Sequence, residues 1–183
     1  SNFSQLDVAE PELFGSRSND KFFGIYDGHS STNVSEYLQQ NFHKMVISQP
    51  CFADEPKTAL KDGNIDVNLT VLYPILQLAF EQIDKKVLES GDLQGGSTAL
   101  CALIRGKKLY LANAGDSKAV LIRKNELLDI TREHRASNEE ERVRVESQGG
   151  VIIVHKTRSL VQGSLQITRS IGDRKYKKYI SCE

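Results

Sequence analysis

Asp27-Gly28-His29 places a carboxylate, an approachable main-chain carbonyl and an imidazole in immediate succession. Oxygen donors of this kind suit a hard divalent cation such as Mg2+ or Mn2+, and a glycine lets the backbone come close with no Cβ in the way. Asp-Gly is also the commonest way to turn a chain after a strand, and the tripeptide alone is read more readily as that turn. A second carboxylate is presented in Ala112-Asn113-Ala114-Gly115-Asp116-Ser117, which by itself is a hairpin. A third segment, Gly95-Gly96-Ser97-Thr98-Ala99, brings a glycine pair into a strand. It lacks the lysine and helix of a phosphate-binding P-loop, so structural tightness is its first meaning.

These groups need elements to hold them. Lys21-Phe22-Phe23-Gly24-Ile25-Tyr26 is a short apolar run that ends at Asp27, as a buried strand delivering its last residues to an edge. Residues 30–45 then carry Val34, Tyr37, Leu38 and Phe42 near helical spacing, with Ser30, Ser31 or Thr32 as the cap. Residues 48–64 contain Pro50, Pro56 and Gly63 and read as a loop. Leu69, Leu72, Leu76, Phe80, Ile83 and Val87 recur at three- and four-residue steps through a long amphipathic helix, with a kink or later start expected at Pro74. The pattern then changes to strands over 98–104, 108–114, 118–123 and 127–131, an antiparallel meander. A charged helix over 138–148, capped by Ser137 or Asn138 and stopped by Gly149-Gly150, precedes a strand at 151–154. The remainder reads as irregular, with a turn of helix around 168–171.

Composition narrows the field. A chain of 183 residues with 39% hydrophobic and 26% charged residues has material for one domain, here 1–183. Its 24 Lys and Arg balance 24 Asp and Glu, so no overall field holds nucleic acid or an anionic membrane. Cys51, Cys101 and Cys182 form no CxxC pair or zinc ligand set, which fits a reducing compartment, cytoplasmic or nuclear. No window is apolar for the ~18 residues that a bilayer span requires. No secretory leader is recognised at the first residues, although the chain begins without Met.

The joint order of the pieces says more than any one of them. Phe22-Phe23-Gly24-Ile25-Tyr26-Asp27-Gly28-His29, Gly96-Ser97-Thr98-Ala99, Ala112 to Leu121 and Thr131-Arg132-Glu133-His134 follow one another, then Glu141-Arg142-Val143, Gly149-Gly150-Val151 and Gly163 to Asp173. In this order and spacing the chain resembles the metal-dependent protein phosphatase family of type 2C over nearly its whole length. The resemblance implies an α+β fold, a layered α/β/β/α sandwich of antiparallel sheets flanked by helices, present here as a partial domain. It makes Asp27 the carboxylate bridging two metal ions, the Gly28 carbonyl a further ligand, His29 the general acid, and Asp116 a ligand to a third, weaker ion. Implied with these is hydrolysis of phosphoserine and phosphothreonine in phosphoprotein substrates by metal-activated water at a binuclear Mg2+ or Mn2+ centre, without a phosphoenzyme.

Departures from the family pattern open an alternative. Later acidic segments of the family have no counterpart before Glu183, and Gln5-Leu6-Asp7 stands where the family has Met-Glu-Asp. Asp7 is read either as a surviving ligand or, more readily, as a solvated N-terminal residue. Ser30 and Ser31 replace glycines, and Leu160 an arginine. The second function is therefore a catalytically inactive 2C-like binding or regulatory module. Missing strands would leave sheet edges that favour self-association. His134 reads as a loop-orienting imidazole, while His43 and His155 have no carboxylate pattern nearby; Arg174, Lys175, Lys177 and Lys178 read as a solvated run that could otherwise dock a phosphoprotein.

Overall fold

A computed structural model describes residues 3–8, 19–50, 52 and 67–182. In chain order its elements are β1 (Phe3–Val8), β2 (Lys21–His29), α1 (Asn33–Ile47), α2 (Val67–Glu89), β3 (Gly96–Ser97), β4 (Ala99–Arg105) and β5 (Lys108–Ala114). There follow β6 (Val120–Arg123), β7 (Glu126–Asp129), α3 (Glu139–Ser147), β8 (Ile152–His155), β9 (Arg158–Val161), β10 (Ile171–Gly172) and a 3-10 turn, Arg174–Tyr176. The expected mixture of antiparallel sheets and flanking helices is present.

The main sheet has the order β10-β3-β2-β4-β5, and β1 adds to β2; every pairing is antiparallel. Along β2 the side chains alternate strictly, with Phe22 and Tyr26 fully buried and Phe23 and Ile25 on the opposite, exposed face. The buried face is covered by α1, through Leu38, Phe42 and Val46, and by α2, through Leu72, Leu76, Phe80, Ile83 and Val87. Phe42 meets Phe80 edge-on, with ring centroids 4.8 Å apart, and lies between Phe22 and Tyr26 at 6.2 and 5.9 Å. Each fully buried aromatic of this kind is worth about 1.5–3 kcal/mol in transfer free energy, so this cluster anchors the helices to β2.

Several local expectations change. Helix α2 runs on through Pro74, whose ring is on the exposed side while Leu72, Ile75 and Leu76 face the core; packing of that face outweighs one lost backbone hydrogen bond. The meander does not continue past β5. Gly115, at φ +117°, turns the chain away, and β6–β7 forms a separate hairpin whose Lys124 and Asn125 both have positive φ, as a tight I′-type turn requires. Strand 151–154 gains a partner, β9, in another two-stranded sheet. The turn of helix placed at 168–171 is instead extended chain: Ile171 and Gly172 pair with Ser97 and Gly96, and the 3-10 turn lies later. The loop expected over 48–64 falls largely outside the described residues. A small second core of Ala136, Val145, Val161 and Ile180 joins α3 to β9, and Asn138 caps α3 by accepting the Glu140 N–H at 3.0 Å.

β1 has no counterpart in the sequence-based reading, and it relocates Asp7. Paired opposite Gly24, Asp7 points into the helix-covered face and is buried, not solvated. Its carboxylate accepts hydrogen bonds from the Tyr26 hydroxyl at 3.2 Å and from His43 Nδ1 at 2.9 Å, so His43 does have an acidic neighbour. Gly24 makes room for this arrangement, since a Cβ there would overlap the Tyr26 hydroxyl. Burial, then the nearby Cys101 and Asp7, pushes the Tyr26 phenol well above its ordinary range, and burial pushes the Cys101 thiol up too; both remain neutral.

Candidate active site

Asp27-Gly28-His29 is not a turn. β2 extends through all three residues, with Ser4 opposite Asp27 on one side and Gly28 and His29 opposite Ser97 and Gly96 on the other. The turn follows at Ser30, whose φ is 67°. Gly28 is required for a reason the sequence did not show: a Cβ there would come within 2.5 Å of the Ser35 hydroxyl at the start of α1. The Asp27 carboxylate is thereby delivered at a rigid strand end, not on a loop.

Thr98, the residue that interrupts β3 and β4, fixes this strand end. Its N–H donates to the Asp27 carbonyl at 3.0 Å, and its hydroxyl accepts the Asp27 N–H at 3.1 Å. The same hydroxyl lies 2.9 Å from the Ser117 hydroxyl. Gly115 packs directly over Thr98, where a Cβ would come within 2.6 Å of its methyl group. Thus the two segments that each looked like an isolated turn are joined through one threonine, and Asp116 is carried to the cleft that Asp27 lines.

Asp116 is half-buried, and its carboxylate meets the Arg135 guanidinium at 3.2 Å; that arginine also pairs with Glu133 at 2.9 Å. His134 holds the loop from below. Its backbone N–H donates to the Gly115 carbonyl at 3.0 Å, and its Nδ1 accepts the Gly115 N–H at 3.2 Å. Burial, followed by the nearby Arg169, lowers the His134 pKa to about 4, so the ring is neutral at physiological pH and able to accept. The loop-orienting role expected for this imidazole is the one it has.

Asp27, Gly28, His29, Thr98 and Asp116 line one cleft of 330 Å³, closed on the far side by residues 164–167. A larger cavity of 570 Å³ lies between α2 and residues 130–134, but its lining contains no carboxylate and it cannot serve as a cation site. In the smaller cleft the Asp27 and Asp116 carboxylates and the Gly28 carbonyl offer oxygen donors, which fits Mg2+ or Mn2+ in type. In number they fall short, because the described residues contain no cluster of three or more His, Cys, Asp or Glu able to hold a metal. Asp7 does not add to them, being committed to Tyr26 and His43.

His29 has a partner that the local sequence did not reveal. Its Nε2 lies 2.7 Å from Oδ2 of Asp173, a buried residue 144 positions away, and Ser170 donates to the same oxygen at 2.6 Å. Asp173 was legible only as the last residue of the Gly163 to Asp173 stretch, with no role attached. A second acidic residue, Glu141 on α3, supports this region by accepting from Thr168, Arg144 and Arg169 at 2.5–3.1 Å. Burial opposes its charge, but the hydrogen bonds from Arg169, Arg144 and Thr168 win and bring its pKa down to about 2.

The basic run is partly structural. Arg174 donates to the Leu88 and Ser90 carbonyls, satisfying the last turn of α2, and Lys177 pairs with Asp84 at 2.9 Å. Lys175 and Lys178 lie over the rings of Tyr176 and Tyr179. Among the described residues no helix is long and apolar enough to cross a membrane.

Comparison with known proteins gives concordant results. The sequence model described as Protein phosphatase 2C matches residues 3–183. A relative from Arabidopsis thaliana, "Probable protein phosphatase 2C 59", is 32% identical over 180 residues, covering 97% of this chain and 50% of its own length. One from Oryza sativa subsp. japonica, "Probable protein phosphatase 2C 45", is 30% identical, covering 97% of this chain and 55% of its own. The chain thus spans about half the length of these curated relatives. Among solved structures, a C. elegans sex determining protein superimposes with a TM-score of 0.77 at 25% identity, over 100% of this chain and 43% of that one. The serine-threonine phosphatase 2C of Toxoplasma gondii superimposes at 0.75 with 18% identity, over 97% and 70%, and shows the shared fold.

Proposed function

The chain belongs to the protein phosphatase 2C family, and we propose that the protein containing it hydrolyses phosphoserine and phosphothreonine in phosphoproteins, with water as the acceptor of the phosphoryl group. The observation that carries this reading is the convergence of Asp27 and His29 from the end of β2, and of Asp116 from the turn after β5, on one cleft.

Two carboxylates facing a cleft repel a phosphate monoester, so the site as built by this chain asks for a counter-charge. Asp27, the Gly28 carbonyl and Asp116 are the groups that would hold Mg2+ or Mn2+. A divalent cation there supplies neutralisation of the phosphoryl oxygens and a more acidic water. This chain's own contribution to bond cleavage is His29, whose imidazole donates a proton to the serine or threonine oxygen as the P–O bond breaks, so that an alcohol and not an alkoxide departs. Thr98 keeps Asp27 in place during this event, and the Arg135 contact limits the swing of Asp116. That Asp27 and His29 both reach the cleft favours the enzyme over the inactive-module alternative.

The test is Mn2+-dependent hydrolysis of a phosphothreonine peptide by the full-length protein beside its Asp27→Ala variant. Turnover by the first and a loss of about 100-fold or more in the second is expected from the size of such electrostatic contributions. Absence of turnover together with absence of Mn2+ binding by calorimetry overturns the reading.

A further inference from the structure

We propose that Asp173 is the positioning residue for His29: its carboxylate holds Nε2–H and sets the angle of the ring, so that the Nδ1–H of the protonated imidazole is offered to the leaving oxygen. This rests on the reading of His29 as proton donor given above.

The argument begins with donors and acceptors. Oδ2 of Asp173 accepts the Ser170 hydroxyl at 2.6 Å and lies 2.7 Å from His29 Nε2. A carboxylate oxygen accepts, so Nε2 carries a hydrogen toward Asp173, and Nδ1, the ring nitrogen left for substrate, carries the proton to be delivered when the ring is protonated. The two side chains differ in exposure as this division requires: that of Asp173 is 4% exposed and that of His29 27%, its open part lining the cleft with Asp27 and Asp116.

The backbone is shaped around the pair. Asp173 occupies the left-handed region, φ 53°, which a non-glycine residue adopts at a cost and which its N–H bond to the Gly95 carbonyl at 2.8 Å helps to hold. Beneath the carboxylate lies Gly96, where any Cβ would overlap Oδ1, Oδ2 and Cγ of Asp173. Gly172, at φ +85°, brings its own backbone against Gly95 in the same way. The Gly95-Gly96 pair is therefore a cradle for one carboxylate. Register completes the geometry: His29 is opposite Gly96, and Gly96 is opposite Gly172, so the acid and the imidazole approach across the end of a single two-residue strand.

A carboxylate that merely stapled β10 to β2 would matter equally for every substrate, whereas one that aims a proton donor matters only when the leaving group needs a proton. p-Nitrophenolate leaves without one; the threonine alkoxide does not. In the full-length protein with Mn2+, Asp173→Asn, which asparagine's tolerance of the left-handed region makes conservative, is expected to lower kcat on a phosphothreonine peptide by about 10- to 100-fold and on p-nitrophenyl phosphate by less than about threefold. Ser170→Ala, which leaves the strained residue untouched, is expected to show the same bias on a smaller scale. Nitrogen-15 spectra of His29 provide a readout independent of turnover: the neutral ring, the form left once Nδ1 has given up its proton, is Nε2–H in the wild type and a mixed tautomer in Asp173→Asn. Equal losses on both substrates, or an Nδ1–H tautomer in the wild type, overturn the proposal. His29→Ala separates the two ideas. If that variant is selectively impaired on the peptide while Asp173→Asn is not, the positioning role fails alone; if it loses both substrates equally, the proton-donor reading fails and this one with it.

Discussion

Thr98 and Asp27 exchange two hydrogen bonds at the break between β3 and β4, the Thr98 N–H donating to the Asp27 carbonyl at 3.0 Å and the Asp27 N–H to the Thr98 hydroxyl at 3.1 Å. With Ser117 2.9 Å from the same hydroxyl, one 2% exposed side chain sets the spacing of the two acidic segments. Thr98→Val preserves the shape and removes the acceptor. The expected result is a loss of about 1–3 kcal/mol in urea unfolding, from a buried N–H left without its partner, and a fall of about tenfold or more in kcat. Thr98→Ser should retain most of both, and a Thr98→Val enzyme with wild-type turnover would show that the clamp is dispensable.

Asp7 serves the core. Asp7→Ala leaves the Tyr26 hydroxyl and His43 Nδ1 facing an emptied, buried site, which should cost about 2–4 kcal/mol, whereas Asp7→Asn, which can still accept one hydrogen bond, should cost less. Calorimetric Mn2+ affinity of the full-length protein should stay within about threefold of wild type in Asp7→Asn. A larger loss of affinity with unchanged stability would make Asp7 a ligand after all.

Acid stability follows from Glu141. Its folded pKa, about 2, lies below its ordinary 4.5, so the folded state binds the proton less readily than the unfolded one. The stabilisation is complete above pH 4.5 and disappears as pH falls toward 2, amounting to about 3 kcal/mol in all. His134, ordinarily 6.5 and here about 4, acts in the same direction over a higher window, from pH 6.5 down to 4. Stability measured from pH 5 to 2.5 should decline more steeply in the wild type than in Glu141→Gln, and parallel curves would contradict the network's role.

The sheet face turned away from α1 and α2 exposes Leu6, Val8, Phe23, Ile25 and Leu109, and among the described residues β5 pairs on one edge only. Apolar surface beside an open edge recruits further strands. The isolated 183-residue chain should therefore show concentration-dependent sedimentation, reduced by Ile25→Lys on that face. A monomer at all concentrations would mean that the edge and face are protected.

What the sequence determined by itself was set by local chemistry. The three-and-four spacing of Leu72, Leu76, Phe80, Ile83 and Val87 specifies α2 in spite of Pro74, and short apolar runs bounded by turn residues specify β2 and β4, because such patterns are properties of neighbouring residues. Asp27, His29 and Asp116 were legible as site groups through the joint order of their segments, which resembles the 2C family; each segment alone reads as a turn. β1 was obscured, since its inward Asp7 breaks the apolar alternation that marks a half-buried strand. Whether Asp27-Gly28 is a turn or a strand end was decided by pairing with β1 on one side and, on the other, with Thr98, Ser97 and Gly96 far along the chain. The same is true of the bond between His29 and Asp173 and of that between Asp7 and His43. Each of these is a pairing between residues whose local patterns carry no trace of one another; only burial in a shared, dry environment makes such a partner necessary, and only the tertiary fold chooses which partner it is.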